Sequence, residues 1–261
     1  MQKALTQNDI VEGLLRLGLE PGAAVEVHSS LSSLGFVEGG AVTVIQSLME
    51  VVGEEGALVM SAYPVTPPLP LTEAEKARGI RAKVRYLDDG ETCKTGMGII
   101  SDTLRWWPDT CLGEGLHRVC AWGKNAQLHS QGYSYLLSIG GWVLLIGVDI
   151  DRCSSMHTAE GKVEWPKSII ENFKVPEELR REFPEDQWYV DYQDPHKPPP
   201  ENAWGKVRIE AERRGLIRRG KIGEAECMLF RGKPVVDIYE EYLRTAPYTL
   251  FGVEDENLQG G

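Results

Sequence analysis

The chain has 261 residues, enough for one large α/β domain with a substantial core. Its 39 acidic against 28 basic residues leave a net charge of −11, which disfavours nucleic acid, because phosphate recognition relies on clustered Lys and Arg. No apolar stretch approaches the ~18 residues of a membrane span. Residues 1–6 lack the apolar core of a secretory signal, and the five cysteines show no C-x-x-C spacing, which argues against a disulfide framework or structural zinc. A reduced, cytoplasmic protein is expected.

In chain order, Ile10, Leu14, Leu15 and Leu17 fall near one stripe and predict a helix over 6–18, stopped by Gly18. Residues 23–28 read as a strand, 29–40 as a small-residue loop, 41–52 as a helix and 57–62 as a second strand, an order that indicates an α/β architecture. The stretch 63–92 is Pro-rich and then charged, which predicts a surface excursion or lid. Thr95-Gly96-Met97-Gly98 opens a helix expected to run to Trp107, before Pro108, and 114–132 reads as loop holding His117 and His129. The apolar run 142–148 predicts a buried strand, followed by a polar turn over 149–155. Residues 175–204, rich in Pro and acids, predict an irregular insertion; 207–217 looks helical, 222–230 extended and 235–244 a closing amphipathic helix.

Three places carry chemistry. After the buried strand comes Met156-His157-Thr158-Ala159-Glu160. On a helix that spacing puts His157 and Glu160 on one face, where a carboxylate orients or polarises an imidazole; an incidental solvated pair is the plainer alternative. The loop with Ser29, Ser30, Ser32 and Ser33, ahead of Gly39-Gly40 and a helix start, offers N–H and hydroxyl groups to a phosphate or a polar cofactor arm, or simply caps a helix. It matches neither a P-loop nor a dinucleotide fingerprint. Thr95–Gly98 forms a second small-residue turn, either a site or an N-cap. His28, His117, His129 and His157 could converge on zinc, although no H-x-x-x-H or H-E-x-x-H supports it. Cys153 could act as a nucleophile, although a buried thiol is the plainer reading.

The pattern H-S-S-L-S-S-L-G from His28 to Gly35, then Gly39-Gly40, resembles the start of the antibiotic N-acetyltransferase family, whose best-known members are aminoglycoside 3-N-acetyltransferases. Later blocks follow in that family's order. T-G-M-G-I-I from Thr95 leads to Leu104-Arg105 and Pro108; His117 sits at an H-P element; A-W-G-K-N-A from Ala121 is similar to A-x-G-x-x-A. L-L-I-G-V from Leu144 leads to S-S-M-H-T-A-E from Ser154, similar to T-x-x-H-x-A-E, and I-G-E-A from Ile222 with V-V-D-I from Val235 also fits. Arg118 stands where the family usually has Pro, Ser154 where it has Thr, and 129–136 follows its G-x-x-S-P segment only loosely.

The resemblance implies a single domain over 1–261 with a central mixed sheet flanked by helices, distinct from the commoner N-acetyltransferase superfamily, and insertions near 63–92 and 175–204. It implies acetyl transfer from acetyl-CoA to an amine of a cationic aminoglycoside by direct attack in a ternary complex. His157 would be the general base and Glu160 its orienting partner or a substrate anchor. His28, Ser29, Ser30, Leu31, Ser33, Thr95, Met97 and Gly98 would bind the cofactor, with backbone N–H groups near Ser29–Ser30 or Met97–Gly98 stabilising the oxyanion. Tyr63, His117, Glu160, Asp191 and Glu201 would bind the acceptor. Neither a metal nor a membrane is expected, and the protein is expected as a monomer or homodimer. The rival readings are a His-based metal hydrolase, a module that sequesters cationic drugs, and acetylation of a different amine.

Overall fold

The computed structural model describes residues 4–64, 68–86, 96–183, 188–193, 200–253 and 255. Among them lie nine strands: β1 (Ala24–Ser29), β2 (Ala57–Ser61), β3 (Arg81–Tyr86), β4 (Cys111–Leu112), β5 (Val119–Gly123), β6 (Trp142–Ile146), β7 (Trp188–Gln193), β8 (Arg218–Ile222) and β9 (Ala225–Arg231). Seven form one mixed sheet in the order β4-β5-β2-β1-β6-β9-β8. The central strands β2, β1 and β6 are parallel, with Glu26 opposite Val59 on one side and Val143 on the other; β5 and β9 flank them antiparallel.

Strand periodicity divides the core. Val25, Val27, Leu58, Met60, Leu144 and Ile146 pack with the helices Gln7–Leu17 and Gly40–Val52 on one face. Val59, Val143, Leu145, Met228 and Phe230 pack on the other with the helices Tyr133–Ser138, Pro200–Arg213 and Gly232–Thr245. Covered on both faces, β6 needs an unbroken apolar run, as its sequence has. Successive side chains alternate across a sheet. Glu26 and His28 therefore project to the second face, between valines that project to the first.

The first helix shows how local sequence sets an end. Thr6 caps it, its hydroxyl oxygen accepting from the Asp9 N–H at 3.3 Å while Asp9 accepts from the Thr6 N–H at 2.9 Å; Gly18, at φ +99°, ends it.

Four expectations need correction. The stretch 114–132 is not merely loop: it contains β5 and the short helix Ala126–His129. The segment 175–204 is not merely irregular. It supplies the helix Glu177–Glu182, β7 and the start of the helix Pro200–Arg213, and β7 pairs antiparallel with β3 from the Pro-rich segment. Leu69, Ala82, Val84, Phe183 and Val190 form a small apolar cluster under that ribbon. The helix expected from Thr95 begins at Ile99 and ends at Arg105. The extended stretch 222–230 is the end of β8 and most of β9, joined by a tight turn at Gly223 (φ +58°).

Candidate active site

From β1 the chain crosses to β2 on one side, while β6 lies on the other. The crevice outside the carboxyl ends of β1, β2 and β6 is thus a topological switch point, where open α/β sheets bind ligands. Three segments leave the sheet there: 30–33 after β1, 62–63 after β2 and 147–160 after β6.

The last of these delivers the His–Glu pair. After β6 the chain winds through two 3-10 turns, Ile150–Arg152 and Ser154–Met156, into the short helix His157–Glu160. His157 Nδ1 lies 2.9 Å from Glu160 Oε2. Glu160 spends its other oxygen on Tyr239, whose hydroxyl donates to Oε1 at 3.0 Å, and its carbonyl accepts from Trp165 Nε1 at 3.0 Å. Trp204 meets the imidazole edge to face with centroids 4.8 Å apart, and Tyr239 packs on Trp204 at 5.9 Å. Trp204 and Tyr239 are fully buried, whereas 43% of the His157 side chain stays exposed. An imidazole held at Nδ1 by a carboxylate keeps Nε2 as an acceptor, the arrangement of an oriented base.

The two small-residue loops converge. Ser29, Ser30, Leu31 and Ser32 line one wall of a groove of about 610 Å³, with Gly35, Phe36 and Gly40 beside them and Gly98 and Ile99 opposite. Gly98 sits at φ +93°, and a Cβ there would lie 4.0 Å from the Ser29 carbonyl oxygen. The Ser29 loop is pinned from behind: the Ser30 N–H donates to the Ile146 carbonyl at 3.0 Å and Ser33 Oγ to the Ser30 carbonyl at 2.7 Å. The Ser30 N–H is therefore already engaged, which removes it as an oxyanion donor.

His28 faces away from the groove. Its side chain is only 9% exposed, and Nε2 lies 2.6 Å from Oε1 of Glu26, a fully buried carboxylate. Ser155 N–H donates to Glu26 Oε1 at 3.0 Å, and Ser154 N–H to His28 Nε2 at 3.2 Å. Ser154 Oγ accepts from Ser61 Oγ at 2.9 Å, and Ser61 Oγ lies 2.6 Å from the Tyr133 hydroxyl. The turn before His157 is thereby tied to both β1 and β2. Burial pushes the Tyr133 phenol and the Cys153 thiol well above their ordinary pKa values, so Cys153 is an inert core thiol.

Tyr63 and His117 come together with rings edge to face at 5.2 Å, beside the second small-residue turn, where the Gly96 N–H donates to the Tyr63 carbonyl at 3.1 Å. Leu31 belongs to the groove wall, Ser33 braces that wall from behind, and Met97 lies next to Gly98. Thr95 lies outside the described residues; Asp191 is in β7 opposite Lys83, and Glu201 is in the helix Pro200–Arg213, but their side chains are outside the description. Among the described residues, no three metal-ligating side chains gather, and no helix is long and apolar enough to cross a membrane.

Sequence reasoning misses Glu26, Tyr239 and Trp204. Glu26 carries a readable signal, an acid alternating with valines in a strand of a parallel sheet. Tyr239 carries none, being 79 positions from the carboxylate that it meets.

A family model described as aminoglycoside 3-N-acetyltransferase matches residues 27–244. The SPbeta prophage-derived aminoglycoside N(3')-acetyltransferase-like protein YokD of Bacillus subtilis (strain 168) is 31% identical over 260 residues, 91% of this chain and 92% of that protein. Among solved structures, AAC-IIIb in a binary complex with CoASH superposes with a TM-score of 0.70 at 19% identity, covering 97% of this chain and 100% of that one. A variant of AAC(3)-IVa in complex with a gentamicin superposes with a TM-score of 0.71 at 21% identity, over 99% and 95% of the two chains.

Proposed function

The chain belongs to the aminoglycoside 3-N-acetyltransferase family, and on that premise we propose that it transfers acetyl from acetyl-CoA to the 3-amine of a 2-deoxystreptamine aminoglycoside by direct attack in a ternary complex. The observation that carries this reading is the His157–Glu160 pair, fixed on its inner side by Tyr239 and exposed on the other.

Amines are largely protonated near neutral pH and must lose a proton before attacking a thioester. With Nδ1–H donating to Glu160, His157 Nε2 takes the proton as the nitrogen bonds to the acetyl carbon, a contribution of about 10²–10⁴ in rate. The tetrahedral oxyanion collapses, the C–S bond breaks, and the CoA thiolate leaves with the electron pair and is then protonated. Glu160 is read as the orienting partner, because both its oxygens are engaged by protein groups. Its charge also stabilises the imidazolium that forms, in the manner of the acid in a catalytic triad.

The groove between the Ser29 loop and Gly98 would hold the pantetheine and pyrophosphate: Leu31, Phe36 and Ile99 give it an apolar wall, and the start of the helix Gly40–Val52 offers backbone N–H groups and a positive dipole end. With the Ser30 N–H engaged, the oxyanion donor is assigned to the Met97–Gly98 turn. Tyr63 and His117 would contact the acceptor, with Asp191 and Glu201 of the acidic segment receiving its ammonium groups. The reading is of one acetyltransferase domain over 1–261, cytoplasmic, monomeric or homodimeric, with 63–92 and 175–204 as insertions and no step that needs a metal.

The test follows free-thiol release from acetyl-CoA with gentamicin, beside His157→Ala. Release that falls by about 10²–10⁴ in His157→Ala, with CoA affinity retained, is expected. Loss of CoA affinity at normal turnover would refute the base, and no release with any aminoglycoside would point to another amine.

A further inference from the structure

The proposed reaction leaves one buried carboxylate without a task. Glu26 is completely buried in β1 and its Oε2 finds no hydrogen-bond partner among the described residues. A half-satisfied buried carboxylate is costly, and an aliphatic side chain of similar size is often neutral or stabilising in its place. Stability alone would favour another valine, as at positions 25 and 27. What Glu26 does touch is specific: His28 Nε2 at 2.6 Å and the Ser155 N–H at 3.0 Å, while the Ser154 N–H reaches the same ring nitrogen at 3.2 Å.

We propose that Glu26 and His28 act as one positioning unit that holds the 153–156 turn, and through it sets where His157 stands over the crevice. The inference rests on the reading of His157 as the base. Two consecutive amides of the turn, Ser154 and Ser155, are both satisfied by this pair, and His157 begins its helix two residues later. The 2.6 Å contact between Nε2 and Oε1 fixes the two side chains in one geometry. Removing either partner leaves a buried amide or a buried charge unpaired, and the turn is then free to move. A shift of about 1 Å at a catalytic group costs up to about 10² in rate. The side chains of Glu26 and His28 are absent from the lining of the groove.

Kinetics separate this role from cofactor binding by His28. If His28 held the cofactor, its removal would raise the KM for acetyl-CoA and the Kd for CoA; if it positions the turn, its removal lowers kcat. Glu26→Gln, His28→Gln and the double variant of the full chain are compared with wild type by steady-state kinetics with acetyl-CoA and gentamicin, CoA calorimetry and thermal unfolding. Each single variant should lose roughly 10–100-fold in kcat with acetyl-CoA KM within about threefold, and the double should be no worse than the weaker single, as for residues acting as a unit. Full kcat in a folded Glu26→Gln, or additive losses in the double, would overturn the proposal, as would a loss confined to KM and Kd.

The ring ¹⁵N signals of His157, assigned with His157→Ala, give a readout that needs no acceptor and no turnover. They shift in Glu26→Gln and in His28→Gln if the pair holds the turn, and stay in place if it does not. If Glu26→Gln does not fold, His28→Gln and Glu26→Asp carry the same test. Unimpaired turnover in His157→Ala would sink the base reading instead, and the ring signals would still decide whether Glu26 and His28 position the turn.

Discussion

Gly147 ends β6 at φ +64°, directly behind the Ser29 loop, and a Cβ added there would overlap the Ser33 side chain. Gly140 offers a matched control, with φ +72° and nothing within 4 Å of its added Cβ. Both Ala substitutions carry the left-handed penalty of about 1–2 kcal/mol. Gly147→Ala adds overpacking, typically about 1–3 kcal/mol. Carbon contacts settle near 3.5–4.0 Å, so Ser33 must withdraw by more than a bond length. Its hydroxyl holds the Ser30 carbonyl at 2.7 Å, so the groove wall moves with it. Gly140→Ala should then cost roughly 2–8 °C in Tm at about 2–4 °C per kcal/mol and leave CoA binding intact. Gly147→Ala should cost more, and only about 1.4 kcal/mol of the strain need reach the groove to weaken CoA tenfold. Calorimetry with CoA and thermal unfolding measure both. Equal Tm losses in the two Ala variants with unchanged CoA affinity in Gly147→Ala would refute the placement of the cofactor in the groove that the Ser29 loop lines.

Tyr239→Phe removes one hydroxyl that donates to Glu160 Oε1 at 3.0 Å. Hydrogen bonds to charged groups contribute about 1.5–3 kcal/mol, so kcat/KM should drop by roughly tenfold or more with CoA affinity unchanged; wild-type kcat/KM would show that Glu160 needs no such support. His129 is buried in the short helix after β5, and burial lowers its pKa from the ordinary 6.5. The unfolded chain binds that proton first, so stability from this group is complete above pH 6.5 and is lost as pH falls from there toward the lowered folded value, by at most about 1.4 kcal/mol per pH unit. His129→Gln should flatten the urea-derived stability profile in that window; an unchanged slope would mean that His129 is protonated in the fold.

Much of the fold is legible because the central strands are short and mostly apolar, and the strand–loop–helix–strand order of the first 62 residues already indicates an α/β architecture. The Ser29 loop and the Thr95–Gly98 turn are each visible as small-residue turns, but their meeting on one groove is a matter of packing that neither segment announces. β5 is not, because Val119–Gly123 is five residues long and sits between loop-like stretches without a periodic pattern. The β3–β7 ribbon pairs segments about a hundred residues apart in charged, Pro-rich surroundings, and nothing local in either strand names its partner. In the site, His157 and Glu160 are readable because i,i+3 spacing is a local property. Tyr239 and Trp204, which fix that pair, arrive from the C-terminal helices by tertiary packing alone. In sequence His28 is grouped with the Ser29 loop; the strand's alternation turns its side chain away from the groove that those serines line, toward Glu26.

The chemical identity of the product decides whether the chain acetylates the 3-amine of an aminoglycoside. Wild-type protein is incubated with acetyl-CoA and gentamicin, and the product is identified by mass spectrometry and NMR. A single added acetyl group is expected, as an amide on the 3-amine of the 2-deoxystreptamine ring, absent with His157→Ala. Acetyl-CoA consumed by hydrolysis with the aminoglycoside unchanged, or an acetyl group on another amine, would contradict it.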